Sequence, residues 1–142
     1  MTVKAILDIK GRDIVSVPSD ATLKDAVKIL SERSIGAVLV MKDHRIEGIL
    51  SERDIVRVLG RRGAKVLDEP VSETMTRAVI TCRQVDTAAS IMDKMTKGKF
   101  RHLPVVENDR IVGLISIGDV VKWRVGEFER EQEALHDYIK TA

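Results

Sequence analysis

Apolar and polar positions along this chain switch between a helical period and a strand period, and they do so twice in the same order. Leu23, Ala26, Val27 and Leu30 recur at helical spacing and give one apolar stripe, behind the helix-capping residues of SDAT. IGAVLVM follows, a continuous β-branched and apolar run that predicts a buried strand. KDHR is a polar turn, and RIEGILS predicts a second strand, so the two runs form a hairpin. A closing helix is predicted from the serine of SERDIVRVL. Ahead of all of these, DIVSVP reads as a short strand broken by Pro18.

The order returns at a displacement of 65 positions, which pairs residues 13–59 with 78–124 without a gap. Ala88, Ile91, Met92 and Met95 repeat the helical stripe, FRHLPVV the first strand, ENDR the turn and RIVGLIS the second strand. SIGDVVKWR repeats the closing helix. Thr22/Thr87, Val40/Val105, Gly48/Gly113, Ser51/Ser116 and Asp54/Asp119 are identical across the displacement, as are Arg45/Arg110, Ile46/Ile111 and Val56/Val121. The predicted fold is α+β: two β-α-β-β-α repeats packed sheet to sheet with helices outside, plus a C-terminal helical extension. Neither repeat can bury its sheet alone.

The lead-in is duplicated as well, since VKAILDIKGR precedes the first copy as VSETMTR precedes the second. The predicted organisation is therefore residues 1–60 as the first repeat with its lead-in, and 61–77 as a linker and lead-in helix. Residues 78–125 form the second repeat and 126–142 a helical extension. GRRGAKVLDEP (60–70) is glycine-broken, charged and ends in proline, as a linker should. In the extension, Val121, Val125, Phe128, Gln132, Leu135 and Ile139 follow the a/d spacing of a coiled coil, which suits packing on its own domain or on another chain.

Composition narrows the function classes. The 142 residues are one domain's worth, with 44% hydrophobic, 32% charged and only 3% aromatic residues, so the core is aliphatic. A net charge of +2 with both signs interspersed, and so few aromatics for stacking, argues against nucleic acid. The start of the chain has charges where a signal peptide needs an apolar centre, and AVLVM (37–41) is far too short for a membrane span. A reduced cytoplasmic location is expected. Cys82 is the single cysteine, which excludes an internal disulfide and reads as a small core residue. None of the three histidines sits in a hydrolase or kinase motif, so no catalysis, no catalytic cofactor and no metal site are expected.

GILSERD (48–54) and GLISIGD (113–119) carry the candidate chemistry. A serine followed three residues later by an aspartate is a capping box, in which the serine caps a helix and the acid reaches back to its backbone. The same geometry presents a carboxylate in the first helical turn, able to accept charge-assisted bonds from both hydroxyls of a ribose. The residues alone leave both readings open. Gly48 and Gly113 lie inside strands, where glycine marks the close approach of a backbone or a ligand.

Tandem copies of this order, each ending in glycine–apolar–apolar–Ser–x–x–Asp, resemble a pair of cystathionine-β-synthase (CBS) domains. GILSERD, GLISIGD, IGAVLV, FRHLPVV and the ETMTR lead-in carry the resemblance, from about residue 6 to residue 125. It implies a stand-alone sensory module that binds an adenosine-containing ligand, such as AMP, ADP, ATP, NAD or S-adenosylmethionine, in clefts between the repeats. It also implies a homodimer and a separate regulated protein. By that resemblance Ser51, Asp54, Ser116 and Asp119 hold ribose. Adenine is read by Val15, Ser16, Gly36 and Ala37 at one site and by Ile80, Thr81, His102 and Pro104 at the other. Phosphate needs cations, which KGKFRH (97–102) offers as Lys99 and Arg101, the lysine reading also as part of a solvated basic turn; in the first copy, where Gly36 and Ala37 replace Arg101 and His102, Arg53 is the cation instead. The two sites should differ, with the second better suited to a phosphorylated ligand. Arg57, Arg61 and Arg62 continue a basic stripe after Arg53. The rival reading is a ligand-free dimerisation scaffold with relic clefts.

Overall fold

Both apolar stripes form helices and both paired runs form hairpins, as their periods predict. The computed structural model describes residues 1–141. They divide by packing into Asp13–Ile80, and Met1–Arg12 with the chain from Thr81 onward.

In the first unit, β1 (Ser16–Val17) pairs in parallel with β2 (Ala37–Lys42), which pairs antiparallel with β3 (Arg45–Ser51). The connecting helix α2 (Leu23–Arg33) starts at a reciprocal cap between Thr22 and Asp25 and lays Leu23, Ala26 and Leu30 on the sheet. These meet Val38, Val40 and Leu50; each fully buried Leu contributes roughly 1.5–3 kcal/mol. α3 (Glu52–Arg62) follows β3 directly and buries Ile55. The lead-in helix expected within 61–77 is instead two short 310 helices, Ala64–Asp68 and Val71–Glu73. Pro70 separates them in extended backbone, and the residue before a proline, Glu69, is extended too.

The second unit repeats the hairpin with β4 (His102–Glu107) and β5 (Arg110–Ser116). α4 (Ala88–Gly98) carries Ala88, Ile91 and Met95 into its core. The counterpart of β1 is a single parallel bridge, Cys82 to Val105. Cys82 is buried, its backbone bonded to Pro104 and Val106 at 3.0 and 2.9 Å. Burial pushes its thiol up to about 12.

The duplication extends to backbone irregularities. A bulge falls between Val40 and Met41 in one hairpin and between Val105 and Val106 in the other. α2 ends on Ser34 and α4 on Lys99, both left-handed at φ 53° and 57°. The hairpin turns use Asp43 at φ 55°, and Asn108 and Asp109 at 49° and 62°; the last two suit a two-residue turn with a right-handed twist.

The lead-ins are exchanged relative to their order in the chain. α1 (Val3–Lys10), grouped by sequence with the first repeat, packs Val3, Ile6 and Leu7 into the core of the second unit, against residues such as Leu103 and Ile115. Met75 and Thr76 cover the first sheet instead, and Thr76 exchanges two backbone bonds with Ile49 at 2.9 and 3.0 Å. The glycines record this exchange. A Cβ on Gly48 would meet Met75 Sδ at 2.6 Å and the Thr76 carbonyl oxygen at 2.9 Å, and one on Gly113 would meet Leu7 Cδ2 at 2.7 Å. What approaches these glycines closely is the covering lead-in.

The last helix, α5 (Ile117–Thr141), buries Val120 and packs Ile117 and Trp123 on the second core. From Phe128 to Lys140 every residue is exposed.

Candidate functional site

Each hairpin brings a strand start, a strand end and a helix start to one point. In the first unit Ala37 opens β2 directly across from Ser51, which closes β3 and caps α3. Gly36 accepts the Glu52 amide at 2.9 Å and so ties the first residue of the helix back to the hairpin. In the second unit His102 faces Ser116 across the hairpin, and Arg101 accepts the Ile117 amide at 2.8 Å. Thus Gly36, Ala37, Ser51 and Asp54 lie together, as do Arg101, His102, Ser116 and Asp119. Val15 and Ser16 stand one strand away from the first group, with the Val15 carbonyl taking the Leu39 amide at 3.1 Å. The counterpart of Leu39 is Pro104, buried in β4, which has no N–H with which to form that bond. Ile80 ends the first unit and Thr81 opens the second, both exposed.

Both Ser–x–x–Asp motifs form the reciprocal cap. The Asp54 amide donates to Ser51 Oγ at 3.3 Å while Asp54 Oδ2 accepts the Ser51 amide at 3.0 Å. The Asp119 amide donates to Ser116 Oγ at 3.1 Å and Asp119 Oδ2 accepts the Ser116 amide at 2.9 Å. Four backbone groups that would otherwise lack partners at these helix starts are satisfied. The carboxylates are held in one rotamer, partly buried.

The two carboxylates differ in their third partner. Asp54 Oδ2 accepts the Ser51 hydroxyl at 3.0 Å. Asp119 Oδ2 accepts the Lys10 ammonium at 2.5 Å, a partner no local signal in the sequence suggests, since 109 residues separate the two. Lys10 Nζ also donates to the Leu114 carbonyl at 2.8 Å. Leu114 matches Ile49 in the duplication, so the lysine donates where the Thr76 amide does in the first unit. Burial pushes the Asp119 carboxyl up, but the bonds from Lys10 and Ser116 outweigh it and hold it below its ordinary value.

The phosphate candidates are all exposed. Arg53 lies in the first turn of α3 beside Asp54, Arg101 precedes β4, and Lys99 is the left-handed cap of α4. Gly118 stands where the first unit has Arg53, and a Cβ there meets nothing nearer than Ser116 Oγ at 3.6 Å. Among the described residues no three His, Cys, Asp or Glu side chains converge as metal ligands, and no helix is long and apolar enough to cross a membrane.

Comparison with known proteins follows this geometry. The chain is 33% identical over 127 residues to the mitochondrial CBS domain-containing protein CBSX3 of Arabidopsis thaliana, covering 86% of this chain and 62% of that one. The chain thus spans under two thirds of that curated relative. The CBS-domain containing protein ATU1752 of Agrobacterium tumefaciens superposes with a TM-score of 0.86 at 46% identity, over 87% of this chain and 99% of that one. The CBS domain pair of MJ0100, solved with 5′-methylthioadenosine and S-adenosyl-L-methionine, gives 0.79 at 26% identity over 89% and 98%. The CBS domain protein PAE2072 of Pyrobaculum aerophilum, complexed with AMP, gives 0.74 at 28% over 84% and 89%. The CBS domain model matches residues 6–61 and again 71–126, one match for each copy of the duplicated pattern. The chain therefore belongs to the CBS domain family and carries two of its domains in tandem.

Proposed function

We propose that this protein is a regulatory module that binds an adenosine-containing ligand at its Ser–x–x–Asp helix starts and modulates a separate partner. One observation carries the reading. Twice, a partly buried carboxylate is fixed in the first turn of a helix, beside a strand start whose main chain can face a base. Relatives with this fold hold AMP in one case and 5′-methylthioadenosine and S-adenosyl-L-methionine in another. Adenosine is what these molecules share, and its ribose hydroxyls are the groups a fixed carboxylate recognises. In this reading Asp54 and Asp119, with Ser51 and Ser116, hold ribose. Val15, Ser16, Gly36 and Ala37, and at the other site Ile80, Thr81, His102 and Pro104, surround adenine. Arg53, Lys99 and Arg101 meet phosphate. A ligand that prefers one arrangement of the protein shifts its population, which is how a module without a reaction of its own passes a signal. The partners are a second copy and a regulated protein, and the setting is the cytoplasm.

Calorimetric titration with AMP, ATP, NAD and S-adenosylmethionine tests this, beside Asp54→Asn and Asp119→Asn, whose side chains keep their size and a capping oxygen. Binding weakened by either substitution, in a variant whose melting temperature holds, is the expected result. Absence of heat and of thermal stabilisation with all four ligands overturns it. The scaffold reading then stands, and one observation favours it: each Ser–x–x–Asp pair already satisfies the backbone of its own helix start.

A further inference from the structure

The exposed length of α5 carries an apolar seam that the described residues leave about half exposed or more. Exposure along the seam runs from 45% at Val121 to 63% at Ile139, and Val125, Phe128 and Leu135 fall in the same range. The core-facing residues of this helix, Val120 and Trp123, lie on a different stripe. Packing of the seam on its own unit, one of the two options left by the spacing, is not what the fold adopts.

We propose that the seam pairs with the same helix of a second copy, in parallel and in register. The residues at each heptad position select this occupant. Val125, Gln132 and Ile139 take position a, and Val121, Phe128 and Leu135 take position d. β-Branched Val125 and Ile139 at a, with Leu135 at one of the d positions, favour two parallel strands, and the lone polar Gln132 at a fixes register by facing its own copy. Arg124 and Glu131 occupy g, while Glu129 and His136 occupy e. In a parallel pair each g residue faces the e residue of the partner's next heptad, so Arg124 meets Glu129 and Glu131 meets His136, twice each by symmetry. The antiparallel register that aligns all six layers sets Glu129 against Glu129 and Glu131 against Glu131. Like charges there oppose association, so the charge pattern itself rejects that arrangement.

The inference names which helix joins two copies; it does not depend on the nucleotide reading. Its test is disulfide trapping in the full chain, since Cys82 is buried and Gln132→Cys places one reactive thiol on the seam. Air oxidation is expected to trap Gln132→Cys as a dimer far faster than a Val56→Cys control on exposed α3. Adding Leu135→Glu should abolish the trapping. Arg124→Glu should slow it severalfold, and Arg124→Glu with Glu129→Arg should restore it. Sedimentation of the wild-type chain separates the outcomes. A dimer whose Gln132→Cys form traps no faster than the control joins through another face, and a monomer that fails to trap has no such partner; either overturns the seam. Trapping that instead requires mixing Phe128→Cys with Gln132→Cys shows antiparallel helices and overturns it as well.

Discussion

The Lys10 ammonium lies 2.5 Å from Asp119 Oδ2 and bridges it to the Leu114 carbonyl, joining the last residue of α1 to the first turn of α5. A carboxylate so neutralised is a weaker acceptor for ribose than Asp54, whose neighbours are a hydroxyl and an amide. Lys10→Met should strengthen binding of uncharged adenosine at the second site severalfold, as read by calorimetry of the variant in an Asp54→Asn background. The same variant should lose stability at neutral pH. Asp119 titrates below its ordinary value of 3.8 in the folded chain, so its stabilising contribution is present above that pH and is lost as pH falls through the depressed value. Urea midpoints of Lys10→Met and wild type should therefore differ near pH 7 and converge under strong acid.

Gly48 and Gly113 match in the duplication but meet different obstacles. Beyond Gly48 stand the Met75 side chain and the Thr76 backbone, the latter pinned by two bonds to Ile49. Nearest beyond Gly113 stands the Leu7 side chain, which can change rotamer. Gly48→Ala should cost roughly 1–3 kcal/mol in urea unfolding. Gly113→Ala should cost clearly less, and equal costs would show that the backbone contact at Thr76 is unimportant.

Lys99 holds a left-handed backbone without being glycine. Lys99→Gly removes that strain and should raise stability by about 1 kcal/mol, measured by thermal and urea unfolding. If its ammonium also meets a phosphate, AMP affinity falls while stability rises, an opposition that a purely structural residue would not produce.

Gly118 has room for a side chain where the first unit carries Arg53. Gly118→Arg should change the stability at the start of α5 by less than about 1 kcal/mol, its helix propensity favouring the change and its charge at the positive end of the helix dipole opposing it. It should also raise the ratio of AMP to adenosine affinity at the second site, and Arg53→Ala should lower that ratio at the first. An unchanged ratio in both variants would remove Arg53 from the phosphate contacts.

What the sequence disclosed and what it hid divide along the range of the interactions. The stripes of α2 and α4, the hairpins and the serine caps rest on spacings of two to four residues, and all of them are present in the fold. The juxtaposition of Ala37 with Ser51, and of His102 with Ser116, follows from hairpin register and was legible once the turns were placed. Lys10 was not legible as part of a site, because its link to Asp119 depends on α1 covering the far repeat. A backbone approaches Gly48, as a glycine inside a strand suggests, but Gly113 meets a side chain, and both occupants come from segments whose pairing no local pattern encodes. The 310 turns around Pro70 show the same limit at shorter range, since the proline's effect outweighs the resemblance of the two lead-ins.

The exchange of lead-ins also sets an order of assembly. Asp13–Ile80 is a continuous stretch whose contacts are all present once its own residues have been synthesised. The other unit needs both ends of the chain, and its Lys10–Asp119 bond closes a loop of 109 residues. Such closures are slow, because their entropy is lost before their contacts form. On the ribosome α1 emerges before the elements it packs on, and its apolar face stays uncovered until β5 and the start of α5 have followed.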